Sequence, residues 1–160
     1  PDIVHVWGLE NFYSAVIPFI NDIPVVVHIQ GMASEIIKYY LPPKYTVEDL
    51  KKCDSSFNRF ILRRGNYYDY KVFEKIAKNE RSVAKYVNNW IGRTDWDHTI
   101  SQALSPSSKY YYCDELMRSD FDGEKWEYHN NGECIKIVSS ISECWYKGFD
   151  IVLKTAKLLN

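Results

Sequence analysis

Lys147 and Gly148 stand directly before a run with helical spacing, Phe149, Val152, Leu153, Ala156 and Leu159. A lysine at a helix N-terminus, beside a glycine that lets the backbone come close, suits phosphate, because the ammonium and the open helix N–H groups both attract an anion. The same lysine also reads as a solvated side chain in a turn. Glu10 follows the short apolar run Ile3–Val6 and Gly8. A carboxylate there either accepts from sugar hydroxyls or is a first-turn acid favoured by the helix dipole. Gln30-Gly31 holds the corresponding place after a second apolar run, Val25–Ile29. In Arg93-Thr94-Asp95-Trp96-Asp97 the Thr-x-x-acid spacing caps a helix, which sets Arg93 and Asp97 at the junction of a strand end and a helix start. Ligands of open α/β sheets bind at such junctions. Glu115 and Arg118 are three apart and share a face if helical, either pairing with each other or lining a cleft. His5 and His28 lie inside apolar runs and read as core histidines.

Other chemistry is excluded. No G-x-G-x-x-G, P-loop, nucleophile elbow or H-E-x-x-H is present, which removes the common nucleotide-cofactor, ATPase, hydrolase and zinc-protease readings. The four cysteines, Cys53, Cys113, Cys134 and Cys144, include no C-x-x-C pair and have no histidine at zinc spacing, so reduced thiols are expected and no metal site. No residue is assigned as the catalytic acid, base or nucleophile.

The elements that must position these residues alternate. Ile3–Val6 reads as a strand buried on both faces, followed by a helix with Phe12, Ala15, Val16, Phe19 and Ile20 inward. Val25–Ile29 is the next strand, and Ser34 caps a helix through Tyr40. Right-handed crossovers make the two strands parallel neighbours. After the Pro42-Pro43 break, Thr46-x-x-Asp49 caps a short helix, and Arg64-Gly65-Asn66 ends whatever residues 55–68 form. A long helix is expected from about Asp69 to Tyr86, its buried side marked by Val72, Phe73, Ile76, Ala77, Val83, Ala84 and Val87. A strand into Gly92, a helix over Asp95–Leu104 and a short strand at Lys109–Tyr112 follow, with a turn or short helix at Cys113–Arg118. Residues 119–133 are polar and turn-rich, a linker before a fresh strand at Cys134–Ser139 and the last helix. The fold class expected is α/β with a doubly wound parallel sheet over 1–118, the linker 119–133, and the start of a second domain at 134–160.

The chain has 160 residues, 46% of them hydrophobic, enough for a sizeable core. Net charge is −1, which argues against a general nucleic-acid binder. That average hides a split: residues 51–85 carry +6 and the remainder −7. This basic, Tyr-rich surface is either a solvated helix face or a contact with an anionic membrane. No run is long and apolar enough to span a bilayer. The chain starts directly in a strand pattern and stops at the end of a helix pattern, which reads as a piece of a longer protein. Such a cut would leave sheet edges and an apolar helix face that favour a dimer.

Taken in order, these segments resemble the middle of a retaining glycosyltransferase of the GT-B fold, family 4 type. Pro1-Asp2-Ile3-Val4-His5-Val6-Trp7-Gly8 matches that family's P-D-[IV]-[IV]-H-x-[HW]-G strand, and Ile23-Pro24-Val25-Val26 through Gly31 matches its following I-P-V-V strand. Ile91–Asp97 and Lys109–Arg118 resemble the I-G-R-T-x-W-D and K-Y-Y-x-C-x-E-x-x-R segments of a bacterial polysaccharide subgroup. Ile135–Leu153 resembles the strand and K-G-x-x-x-x-L turn that open its C-terminal domain.

The resemblance implies two Rossmann-like domains, transfer of a sugar from a nucleotide diphosphate to a glycan or lipid-linked acceptor with retention, and no cofactor beyond the nucleotide-sugar substrate. It makes Lys147 the lysine on the donor diphosphate and turns Glu10, Gln30, Gly31, Arg93, Asp97, Glu115 and Arg118 toward the interdomain cleft, mostly on the acceptor side. It also implies a cytoplasmic enzyme, peripheral at the inner face of a bacterial membrane, whose 160-residue piece is inactive alone. Two positions depart from the family: Gln30 stands where it has His, and Ser139-Ser140 where it has Gly-Arg. Two other readings are an epimerase or phosphorylase of the same fold, and a non-catalytic α/β module that binds a protein or membrane partner.

Overall fold

A computed structural model describes residues 2–116, 118–121, 123, 125, 127, 138, 140 and 144–158. The chain divides into two compact units, Pro1–Cys113 and Asp114–Asn160. The first unit is an α/β fold on a four-stranded sheet, β1 (Val4–Trp7), β2 (Val25–His28), β3 (Asn89–Gly92) and β4 (Lys109–Tyr112). All pairings are parallel, and the strands lie side by side in chain order. The helices are α1 (Ala33–Ile36), α2 (Val47–Cys53), α3 (Asn66–Ala84) and α4 (Asp95–Leu104). In the second unit α5 (Phe149–Leu158) is preceded by single 3₁₀ turns at Ser119–Phe121 and Trp145–Lys147. The expected strand at Cys134–Ser139 lies outside the described residues, as does most of the 119–133 linker.

Register decides which side chains meet the helices. Val6 pairs with Val27, Val27 with Trp90 and Trp90 with Tyr110, so these share one face. There they form the core with Leu9, Ile17, Ile29, Met32, Val83, Ala84 and Val87 from the connections, and Ile100 and Leu104 of α4 pack against it. Trp90 is fully buried, and its indole N–H donates to Ser105 Oγ at 2.8 Å, so its one polar atom is satisfied. The opposite face carries a row made of Trp7, His28, Ile91 and Tyr111. Trp7 and His28 are in ring contact at 4.3 Å, and His5 stacks on His28 at 5.8 Å.

Three expectations need correction. β1 is not buried on both faces: Ile3, His5 and Trp7 are exposed, because β1 is the edge of the four described strands and pairs only with β2. His5 is therefore no core histidine, whereas His28 is buried. The segment after β1 is a 3₁₀ helix, Phe12–Phe19, not an α-helix. Its three-residue period buries Ser14 and Ile17 and leaves Phe12, Ala15, Val16 and Phe19 outside. Ser34 is not a helix cap either; it lies within α1, behind Met32.

The capping signals fare better. Thr46 and Asp49 form the expected box at α2, with Asp49 accepting from Thr46 N–H at 2.9 Å. Thr94 and Asp97 form the second at α4, which spans Asp95–Leu104 as expected. α3 starts earlier than expected, at Asn66, because the Asp54 carboxylate reaches its first amides: Asn66 N–H at 3.0 Å and Tyr67 N–H at 2.8 Å. Burial alone would push Asp54 up, but these hydrogen bonds outweigh it and leave the carboxyl below its ordinary range.

Gly92 ends β3 in a space with no room for a side chain. A Cβ there would sit 2.5 Å from Tyr110 Oη and 2.9 Å from Asp97 Cβ. Gly92→Ala should therefore cost about 1–3 kcal/mol of unfolding free energy in a urea titration. An unchanged midpoint would show that the junction yields easily.

Candidate functional site

Parallel pairing of Trp7 with His28 makes the chain leave β1 and β2 side by side at their C-terminal ends. Gly8 turns the first exit with φ of 78°, and its N–H donates to the His28 carbonyl at 2.9 Å. The Glu10 carboxylate folds back over Gly8: a Cβ on that glycine would meet Glu10 Oε2 at 2.2 Å. On the second exit Ile29 N–H donates to the Ile91 carbonyl at 2.8 Å, and Gln30 and Gly31 follow. Glu10 and Gln30 are both half-buried. Glu10 Oε2 and Gln30 Nε2 are each fully buried, and neither has a hydrogen-bond partner. An acceptor without a donor and a donor without an acceptor thus sit on neighbouring strand exits. Each such atom costs about 1–3 kcal/mol when left unpaired.

The chain just after Gln30 and Gly31 is anchored by α3. Glu80 is completely buried and reaches across to α1, where it accepts from Ala33 N–H at 3.0 Å and Ser34 N–H at 2.9 Å. Its neighbour Arg81 donates to the Ser34 carbonyl at 2.5 Å. One turn of α3 therefore holds both the amides and a carbonyl of the short α1. Burial raises the Glu80 pKa, hydrogen bonds from Ser34 and Ala33 oppose this, and the charge of Glu10 pushes it further up; the net shift is upward. Sequence reading passed over Glu80. Its signal was an acid in register with Ala77, Val83 and Ala84 on the apolar side of α3.

The other expected residues fall into place differently. Gly31 has ordinary room, since a Cβ would lie 3.7 Å from Ile36 Cδ1. Asp97 is buried, and its carboxylate is spent on the backbone, accepting from Arg93 N–H at 2.9 Å and Thr94 N–H at 3.1 Å. Arg93 is half-buried. Beside this junction His98 stacks on Tyr110 at 4.6 Å, and Tyr110 Oη donates to the Thr94 carbonyl at 3.1 Å. Burial first, then the charge of Asp97, raises the Tyr110 pKa.

In the second unit Glu115 and Arg118 are exposed on irregular backbone, so their spacing does not set them on one helical face. Lys147 ends a 3₁₀ turn, and Gly148 follows in the left-handed region, φ 74°. The expected Lys-Gly turn before a helix is therefore present. Lys147 is exposed, with Nζ 5.4 Å from the centre of the Tyr146 ring. Asp150 lies in the first turn of α5 and pairs with Lys154, whose hydrogen bond holds its carboxyl below the ordinary range.

A cavity of about 390 Å³ opens at the other end of the strands, lined by Ile17, Asp22, Val25, Tyr86 and Asn89 among others, and holds none of the expected site residues. Among the described residues no group of three or more His, Cys, Asp or Glu is arranged to hold a metal ion. No helix of the described residues is long and apolar enough to cross a membrane. Comparison with protein-family models, with curated proteins and with solved structures finds no match.

The raised Glu80 gives a signed pH effect. The folded chain holds this proton to higher pH than the unfolded chain, so stability should fall as pH rises from the ordinary glutamate range through the folded value. Glu80→Gln should flatten that slope, while losing about 1 kcal/mol throughout because an amide has one acceptor for two N–H groups. Chemical denaturation at several pH values checks this; an unaltered slope would assign the pH dependence elsewhere.

Proposed function

We propose that this chain belongs to a retaining, nucleotide-sugar-dependent glycosyltransferase of GT-B type. In this reading β1–β4 form part of a doubly wound, Rossmann-like acceptor-side domain, and α5 is an early helix of the donor-side domain. One observation carries the proposal: the unpartnered Glu10 Oε2 and Gln30 Nε2 at adjacent strand ends. A hydroxyl both donates and accepts, so a polyol can give a proton to the carboxylate and take one from the amide. Ligands of parallel α/β sheets lie at this end of the strands. The ordered resemblance of Pro1–Gly8, Ile23–Gly31, Ile91–Asp97 and Lys109–Arg118 to family 4 segments supports the same reading.

Each unit then has its own task. In the first, Glu10 and Gln30 hold sugar hydroxyls of the acceptor or the transferred sugar. Asp97 and Thr94 fix the backbone that carries Arg93. In the second, Lys147 stabilises the negative charge that builds on the departing diphosphate, an electrostatic role that needs preorganised positive groups near the leaving oxygen. Asp150, in the first turn of α5 beyond Gly148, is held by Lys154, which limits its repulsion of that anion. The donor is a nucleotide sugar and the acceptor a glycan or lipid-linked glycan.

The full-length transferase, incubated with UDP- or GDP-sugars and a lipid-linked acceptor, should release the nucleoside diphosphate, whereas the 160-residue chain alone should not. Lys147→Ala should lower that release at least a hundredfold, about 3 kcal/mol of transition-state stabilisation; full activity would contradict the phosphate assignment. Gln30→Ala should raise KM for the sugar substrate about tenfold with a smaller change in kcat. An epimerase would instead interconvert nucleotide sugars with no acceptor, and a phosphorylase would require inorganic phosphate. A chain that binds no nucleotide sugar would be the non-catalytic module.

A further inference from the structure

The turn between α2 and α3 places large apolar side chains in solvent. Residues 55–68 contain Arg59, Arg63 and Arg64 and no Asp or Glu. Asn58–Leu62 forms one turn of π-helix, and Arg63 ends it in the left-handed region, φ 48°. Asp54, the acid just ahead, has its carboxylate turned onto the first amides of α3. Phe57, Phe60 and Ile61 fall within five consecutive residues of this turn. They are 61%, 73% and 67% exposed, and Leu62 adds a further 41%. Phe12 and Phe19 are more exposed still, but residues 1–37 hold no Lys or Arg, whereas at this turn exposed apolar side chains and arginines stand together.

We propose that the Phe57–Arg64 turn docks on the surface of an anionic lipid bilayer. Apolar side chains flanked by arginines match the two layers of a membrane interface: rings and aliphatic groups enter the acyl boundary while guanidinium groups meet headgroup phosphates. The charge selects an anionic surface. The size selects lipid over protein: four apolar side chains fall well short of the roughly 800 Å² per partner that a stable protein interface buries, whereas a lipid surface is held by a few inserted groups and electrostatics. The membrane contact expected from the whole basic segment 51–85 narrows to this turn. On α3 Lys71 pairs with Glu74 at 2.7 Å and shares its face with solvent. This docking stands independently of the proposed catalytic reading, and neither result decides the other.

Vesicle co-sedimentation of the full chain tests it, using phosphatidylcholine alone and phosphatidylcholine with about one third phosphatidylglycerol. The chain should sediment with the anionic vesicles only, and less so as salt rises. Phe60→Ser with Ile61→Ser, and separately Arg63→Gln with Arg64→Gln, should each lower the partition coefficient about tenfold or more, with thermal melting unchanged because these side chains are exposed. No binding to anionic vesicles, or binding unaltered in both double variants, would overturn the proposal. So would light scattering that shows a dimer dissolved by the Phe60/Ile61 variant while vesicles bind nothing, since the patch would then be an interface between copies.

Discussion

The buried carboxylate of Glu80 is the contact on which the first unit depends. It lies in the middle of α3, and its partners are backbone amides at the start of α1, 47 and 46 residues away in sequence. α1 has only four residues and no capping side chain of its own. Without Glu80 its leading N–H groups would be buried and unpaired, and the chain leaving β2 would lose its anchor to the long helix. Ionising a carboxyl in this position is costly, which is why its pKa moves upward despite the amides it accepts from. The same contact anchors the chain just after Gln30 and Gly31.

Set beside the other acids, Glu10 stands apart. Asp49 and Asp97 close capping boxes, and Asp54 caps α3 from outside the helix. Each of these carboxylates is consumed by backbone and thereby shapes the fold. Glu10 Oε2 is buried and has no such partner, and the Gln30 amide nitrogen across the adjacent strand exit is in the same condition. Buried polar groups in folded proteins are nearly always paired, so an orphan acceptor and an orphan donor on neighbouring exits suit a third party that both donates and accepts, as a hydroxyl does. That is the physical content of the sugar-binding reading.

What could be read from the sequence follows from how local each signal is. The boxes at Thr46 and Thr94, the strand Lys109–Tyr112 and the helix Asp95–Leu104 are set by neighbours within a few residues, and they came out as expected. The parallel sheet followed from alternation of apolar runs and helical segments. The 3₁₀ helix at Phe12–Phe19 did not, because its apolar residues fit an α-period and only the fold shows that Ser14 and Ile17 face inward. Glu80 and Asp54 escaped for another reason: their partners lie 46–47 and 12–13 residues away, and no spacing rule reaches that far. At the candidate site the positions of Glu10 and Gln30 were legible as strand exits, but their lack of partners is a property of packing alone.

Carboxyl and side-chain amide NMR shifts of Glu10, Glu80 and Gln30, followed during titration with a nucleotide sugar and then with a lipid-free glycan acceptor, test the central claim most directly. The Glu10 carboxyl carbon and the Gln30 amide protons should move together and saturate with one ligand, while Glu80, already paired with Ala33 and Ser34, should hold its position. Shifts at Glu80 with none at Glu10 or Gln30, or no response to either ligand, would contradict the account.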